Sequence, residues 1–279
     1  MDSNYVIENE KKFNTYVINL KKDTEKLERF IKNIEETNIA STLSIYDGLL
    51  GKEATEKDFK RVGLFCRMLF PRSLIGCGLS HLYLIDYFLE NDENDFCLIL
   101  EDDVIPLFRD MKHEIKKIMN DLEGKKWDIV KLLCFGDCNF CDDDCDTSPM
   151  VRLATKNMFS TANCAYLVSK AGARKIRKMK VHKHLDVQYT QTNLIMYNSK
   201  YPLFRTYIDK SSTTGNSSVL KKIFDIETNY HSAPLYWFID TKLLYVPIID
   251  YELSSIDIIY MTIAFVVILY LYKKYSKTQ

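Results

Sequence analysis

An open, largely parallel α/β sheet is the fold this sequence predicts, and three observations predict it. Short apolar runs of strand length alternate along the chain with segments of helical periodicity. Glycine and proline are scarce, 9 and 6 in 279 residues, which argues against an all-β chain full of tight turns and against collagen-like repeats. One apolar run, Phe96 to Leu100, ends abruptly in Glu101, Asp102 and Asp103, and in open α/β sheets ligands sit beyond such carboxyl ends. The length suffices for one large domain or two small ones with a buried core. Hydrophobic and aromatic contents of 47% and 13% belong to a globular chain. Basic and acidic residues balance at 38 each, without the basic excess of a nucleic-acid binder, so no nucleic-acid partner is expected.

The elements follow in order. Thr15 to Leu20 reads as a buried strand. Asp23 to Thr37 reads as a helix with Leu27, Phe30, Ile31 and Ile34 on one face. Leu43 to Tyr46 is a second strand ending at Asp47-Gly48. Lys52 to Arg72 has weak periodicity and reads as a surface excursion. Helix resumes from about Gly76 to Leu89, and the strand bearing the carboxylates comes next. A helix over about Phe108 to Leu122, a strand over Trp127 to Leu133 and a strand over Ala165 to Val168 follow. Lys170 to Met179 is a helix with Ser169 as its N-cap.

The acidic triplet carries the chemistry. Three negative charges crowded at one point are costly unless something positive neutralises them. Clustered carboxylate oxygens suit a hard divalent ion, Mn2+ or Mg2+, that keeps positions open for phosphate oxygens. The other reading is a solvated turn after a core strand. Asp186, a lone acid between Leu185 and Val187, is the candidate general base, with a helix cap as its alternative. His231 is a further candidate metal ligand.

The N-terminus shows no basic segment followed by an apolar one, so no signal peptide is visible. At the other end, Ile258 to Tyr272 carries no charge and is followed by Lys273, Lys274 and Lys277. At about 1.5 Å per residue it covers roughly 22 Å, short of the roughly 30 Å hydrocarbon core. We expect residues 256–275 to be a single-pass membrane anchor behind a domain spanning 1–255, a buried C-terminal helix being the alternative. The missing signal places the domain in the cytosol, while the basic tail favours the opposite orientation and leaves a lumenal domain open. Cys134, Cys138, Cys141 and Cys145, half of the 8 cysteines, crowd one acidic segment. Structural zinc, free thiols in a surface loop and, in an oxidising compartment, disulfides are the alternatives.

Several segments, in order, resemble glycosyltransferase family 25, the group of lipopolysaccharide-biosynthesis and procollagen galactosyltransferase-like proteins. They are Val17-Ile18-Asn19-Leu20-Lys21 with Glu28-Arg29-Phe30, then Tyr46-Asp47-Gly48, then Ile75-Gly76-Cys77-Gly78-Leu79-Ser80-His81. Leu100-Glu101-Asp102-Asp103-Val104 and Thr161 to Ser169 with Gly172-Ala173 follow, and Tyr201-Pro202-Leu203 with Ser217-Ser218-Val219 is a looser match. The likeness spans about Thr15 to Val219. It implies a GT-A-like fold, a Rossmann-type sheet flanked by helices, here with a C-terminal hydrophobic helix. It also implies inverting transfer of galactose or glucose from a nucleotide diphosphate donor, a UDP-sugar, to a glycan or protein hydroxyl. Residue by residue, it points to Asp103, with Asp102 and Glu101, as metal ligands. Asn19, Lys21, Arg29 and Ser80 would lie at the donor with Glu101 and Asp102, and His81 beside Asp186 in catalysis. Backbone N–H groups at the Gly76–Gly78 helix start would receive phosphate or sugar oxygens. Two departures stand out: Lys22 and Lys26 replace early arginines, and the cysteine-rich loop is inserted. A non-catalytic sugar- or nucleotide-binding membrane module, and a structural membrane protein with a zinc loop, are the competing functions. A nucleotidyltransferase also suits an acidic strand end, but no Gly-rich phosphate loop supports it.

Overall fold

The computed structural model describes residues 12–136, 149–154, 160–207, 242–246 and 251–275. Its centre is a seven-stranded sheet of order β2-β1-β3-β9-β5-β10-β7. The strands are β1 (Asn14–Asn19), β2 (Leu43–Asp47), β3 (Phe96–Glu101), β5 (Ile129–Lys131), β7 (Val151–Leu153), β9 (Ala165–Ser169) and β10 (Met196–Ser199). Strands β2, β1, β3, β5 and β10 run one way, while β9 and β7 run against their neighbours. The sheet is therefore mixed and mostly parallel. Reversal of β9 matters for the site, because its N-terminal end meets the carboxyl ends of β3 and β5.

Helices cover both faces, as a sheet of near-continuous apolar strands requires. On one face α1 (Thr24–Ile34) and α5 (Met111–Asp121) bury Phe30, Ile34, Ile115 and Ile118 against Val17, Leu98, Leu100 and Val130. On the other, α4 (Arg72–Asn91), α6 (Lys170–Ile176) and α7 (Leu185–Thr190) bury Leu79, Leu82, Ile176 and Tyr189 against Ile18, Ile99 and Tyr166. Alternate residues of β3 serve alternate cores, Leu98 and Leu100 on one side, Cys97 and Ile99 on the other. The Ser169 hydroxyl accepts from Gly172 N at 3.0 Å, which is the expected cap.

Two expectations are corrected and a third is left without support. The stretch from 52 to 72 is not only a surface excursion: α2 (Glu56–Phe59) and α3 (Leu64–Leu69) form there, and Phe59, Val62 and Cys66 are buried. Few residues face the core in so short a segment, so no period emerges. Helix α4 begins at Arg72, after Pro71, and not at Gly76. The glycines instead permit close packing, since a Cβ on Gly51 would lie 1.6 Å from the Arg72 carbonyl oxygen and one on Gly76 2.5 Å from Gly51 N. The single-pass anchor is the third. β12 (Lys242–Val246) and β13 (Tyr251–Ser254) pair antiparallel and lead into α8 (Ser255–Tyr275). Among the described residues no helix is long and apolar enough to cross a membrane.

The remaining strands are short. β4 (Val104–Pro106) pairs with β11 (Phe204–Thr206), and β6 (Phe135–Gly136) with β8 (Ser160–Thr161). Cys134 is disulfide-bonded, which removes it from a four-thiolate zinc site. Cys138, Cys141, Cys145, Ser217 to Val219 and His231 lie outside the described residues.

Candidate functional site

From β1 the chain passes to β2 on one side and later returns to β3 on the other, so the winding reverses between β1 and β3. Such a reversal opens a crevice beyond the strand ends. Asn19 stands at this point on β1, 4% exposed. Its Nδ2 donates to Asp102 Oδ2 at 2.7 Å and to the Asp23 carbonyl at 3.2 Å, tying the two strand ends together.

The acidic triplet turns the chain from β3 into β4. Pairing of Val104 with Thr206 and of Pro106 with Phe204 braces the turn, and Tyr207 N donates to the Asp103 carbonyl at 2.8 Å. Burial, then the charges of Glu101 and Asp102, push the Asp103 carboxyl up to about 7, against the pull of Lys26. Asp103 Oδ1 is buried and accepts no hydrogen bond. Asp102 is also raised by burial, with the Asn19 amide opposing. Both shifts have the sign expected when like charges are packed out of water with too little positive charge nearby.

Helix α4 supplies the next layer. His81 is 1% exposed, and its two ring nitrogens lie 3.0 Å from Tyr166 Oη (Nδ1) and 3.2 Å from Glu101 Oε1 (Nε2). The ring thus joins the first residue of the triplet to the sheet. Cys77, one turn earlier, brings its sulfur within 4.8 Å of ligand atoms of His81 and Glu101. Ser80 faces elsewhere. Its hydroxyl donates to the Gly76 carbonyl at 2.7 Å and accepts from Leu49 N at 2.8 Å, fixing the segment after β2 to the helix. Because α4 starts at Arg72, the N–H groups of Gly76 to Gly78 lie inside the helix, so the expected anion cradle at a helix start does not form there.

Asp186 lies in the first turn of α7. Its Oδ2 accepts from Ala162 N at 3.2 Å and its Oδ1 from Val187 N at 2.8 Å. The Asn163 amide fits with its nitrogen toward the Ala162 carbonyl, 3.2 Å, and its oxygen toward Asp186 N, 3.1 Å. Ala162 has φ +78°, a left-handed conformation rare outside glycine and asparagine. The Ala162–Cys164 turn delivers the chain to β9, and Glu101 N donates to the Cys164 carbonyl at 2.8 Å. Burial first, then Glu101, Asp103 and Asp186, raise the Cys164 thiol. Acids from two separate parts of the fold, the β3 end and α7, therefore converge on one neighbourhood.

Lys131, at the carboxyl end of β5, was not among the sequence candidates. It is 0% exposed, and burial lowers its ammonium to about 8 although Asp186 and Cys164 pull the other way. The signal was a lysine within the apolar run Trp127 to Leu133. Arg29 does approach the site's edge from α1, its Cζ 4.3 Å from the centre of the Tyr207 ring, next to the brace on Asp103. Lys21 does not: it pairs with Asp47 at 3.0 Å with both side chains exposed.

Thus Asn19, Glu101, Asp102, Asp103, His81 and Asp186 come together; Ser80 turns to a structural contact and Lys21 to the surface. Comparison with known proteins then bears on the whole. No curated protein matches the sequence. The crystal structure of A197 from STIV is similar over 71% of this chain and 87% of that one, at 13% identity and a TM-score of 0.40, a likeness too low to bear on function. Residues 12–215 match glycosyltransferase family 25 (LPS biosynthesis protein), and the chain belongs to that family and is a glycosyltransferase.

Proposed function

We propose that this glycosyltransferase moves galactose or glucose, with inversion, from a UDP-sugar to a hydroxyl of a glycan or protein, within a GT-A-like domain over residues 1–255. One observation supports it above the rest: three carboxylates at the β1/β3 reversal, with a buried Asp103 oxygen that no protein group satisfies. This donor set fits Mn2+ or Mg2+ held by Asp103, Asp102 and Glu101. When bound, such an ion supplies positive charge to the donor diphosphate.

The chain's own groups do the rest. Asn19 fixes Asp102 through one carboxylate oxygen, Oδ2. His81 orients Glu101 in the same way. Lys26, whose charge is felt at Asp102 and Asp103, and Arg29 add positive potential for phosphates from α1. Asp186 takes the proton of the acceptor hydroxyl as its oxygen bonds to the anomeric carbon and the diphosphate oxygen departs. Lys131, buried and electrostatically coupled to Asp186, keeps that carboxylate ionised and ready to take the proton.

Attachment to a membrane through α8 belongs to the same reading. Ile263, Phe265, Val266, Val267 and Ile268 are all exposed, and a helix apolar on every side belongs in a core or in lipid. The test is nucleotide release: the full chain, stripped with chelator and given UDP-galactose or UDP-glucose, releases UDP only when Mn2+ or Mg2+ is restored. Full release in chelator would refute the metal role. Donor binding without any release, with or without acceptors, would favour a non-catalytic binding module.

A further inference from the structure

Cys77, His81 and Glu101 form a second ligand set beside the carboxylate cluster, and its chemistry differs. The sulfur and the His81 and Glu101 ligand atoms all lie within 4.8 Å of one another. Cys77 and His81 are four residues apart on α4 and so share a face, while Glu101 reaches over them from the end of β3. His81 is 1% exposed, and its Nδ1 is 3.0 Å from Tyr166 Oη, the outer contact that orients a metal-binding imidazole through its far nitrogen. Cys77 is exposed, which gives an ion a way in, while burial around its thiol, then Glu101, Asp186 and Asp103, push the thiol up, so binding displaces its proton. Ligands at about 2.0–2.3 Å around a tetrahedral ion stand about 3.3–3.8 Å apart, so a small swing of the Cys77 side chain closes the set. A thiolate with an imidazole favours zinc over manganese or magnesium.

We propose that Cys77, His81 and Glu101 bind Zn2+, and that zinc there inhibits transfer by withdrawing Glu101 from the acidic triplet. The inhibitory half rests on the proposed metal-dependent transfer; the binding half does not. Cobalt tests binding without any turnover, because a thiolate ligand gives Co2+ an intense charge-transfer absorption. The full chain with Cys134, Cys138, Cys141 and Cys145 all changed to serine, its fold checked by circular dichroism, shows that absorption at one equivalent of Co2+. Adding Cys77→Ser abolishes it, and His81→Gln weakens cobalt binding at least tenfold. No absorption in the four-serine protein, or an absorption that survives Cys77→Ser, overturns the site. In the same four-serine background, equimolar Zn2+ lowers Mn2+-supported UDP release at least tenfold, and Cys77→Ser removes that inhibition relative to its own zinc-free rate. A cobalt band with full release in zinc overturns the inhibitory half. Absence of release in zinc-free protein overturns the transfer reading instead, and with it the inhibition, while cobalt still judges the site.

Discussion

Asp103 combines a buried, unsatisfied carboxylate oxygen with two acidic neighbours. In the metal-free protein its carboxyl sits at about 7 against an ordinary 3.8, so the folded state holds a proton that the unfolded state has lost. Stability from that proton is complete below the unfolded value and disappears as pH rises through about 7. Asp103→Asn imitates the protonated acid permanently. Chelator-treated Asn variant and wild type are therefore expected to melt together near pH 4, with the variant melting higher at pH 7.5. In metal, the same change is expected to lower UDP release by about 100-fold or more, since a charge ligand is gone. Lys131 gives a second test. Its ammonium is lost above about 8, so turnover is expected to fall on that limb, and Lys131→Met to be slow throughout without it. The triplet was legible in the sequence because its three acids are adjacent and follow an apolar run. The Lys131–Asp186 neighbourhood was not, because 55 positions of chain separate them and only the reversed β9 brings their ends together.

Among the elements, α1, α4, α5 and α6 were readable from helical spacing, and the Ser169 cap from its residue type. The direction of β9 was not, since periodicity is blind to strand polarity. Nor was the start of α4, where Pro71 rather than the glycines sets the boundary. Glycine here serves packing, and two substitutions separate packing from backbone conformation. Gly51→Ala drives a methyl into the Arg72 carbonyl and is expected to cost about 3 kcal/mol in urea unfolding. Gly124 has φ +73° with nothing near its missing Cβ, so Gly124→Ala is expected to cost only about 1 kcal/mol of backbone strain. Equal costs would mean that the contact between Gly51 and α4 is not a close one.

For the whole molecule, one mixed sheet with a core on each face holds two strand ends apart and fills the gap with acids. Composition and the order of elements announced that architecture; which helices cover which face came only from the packing. The C-terminal helix α8 adds an exposed apolar surface to it. The full chain is expected to float with liposomes, and a chain ending at residue 255 to stay behind; equal flotation would remove α8 from that role. Calorimetric titration of Mn2+ into chelator-stripped full chain, with UDP present, asks whether the acidic triplet holds an ion. One saturable site that weakens at least 100-fold in Asp103→Asn is the expected result, whereas equal binding by both proteins would mean that the triplet is not the ion's site.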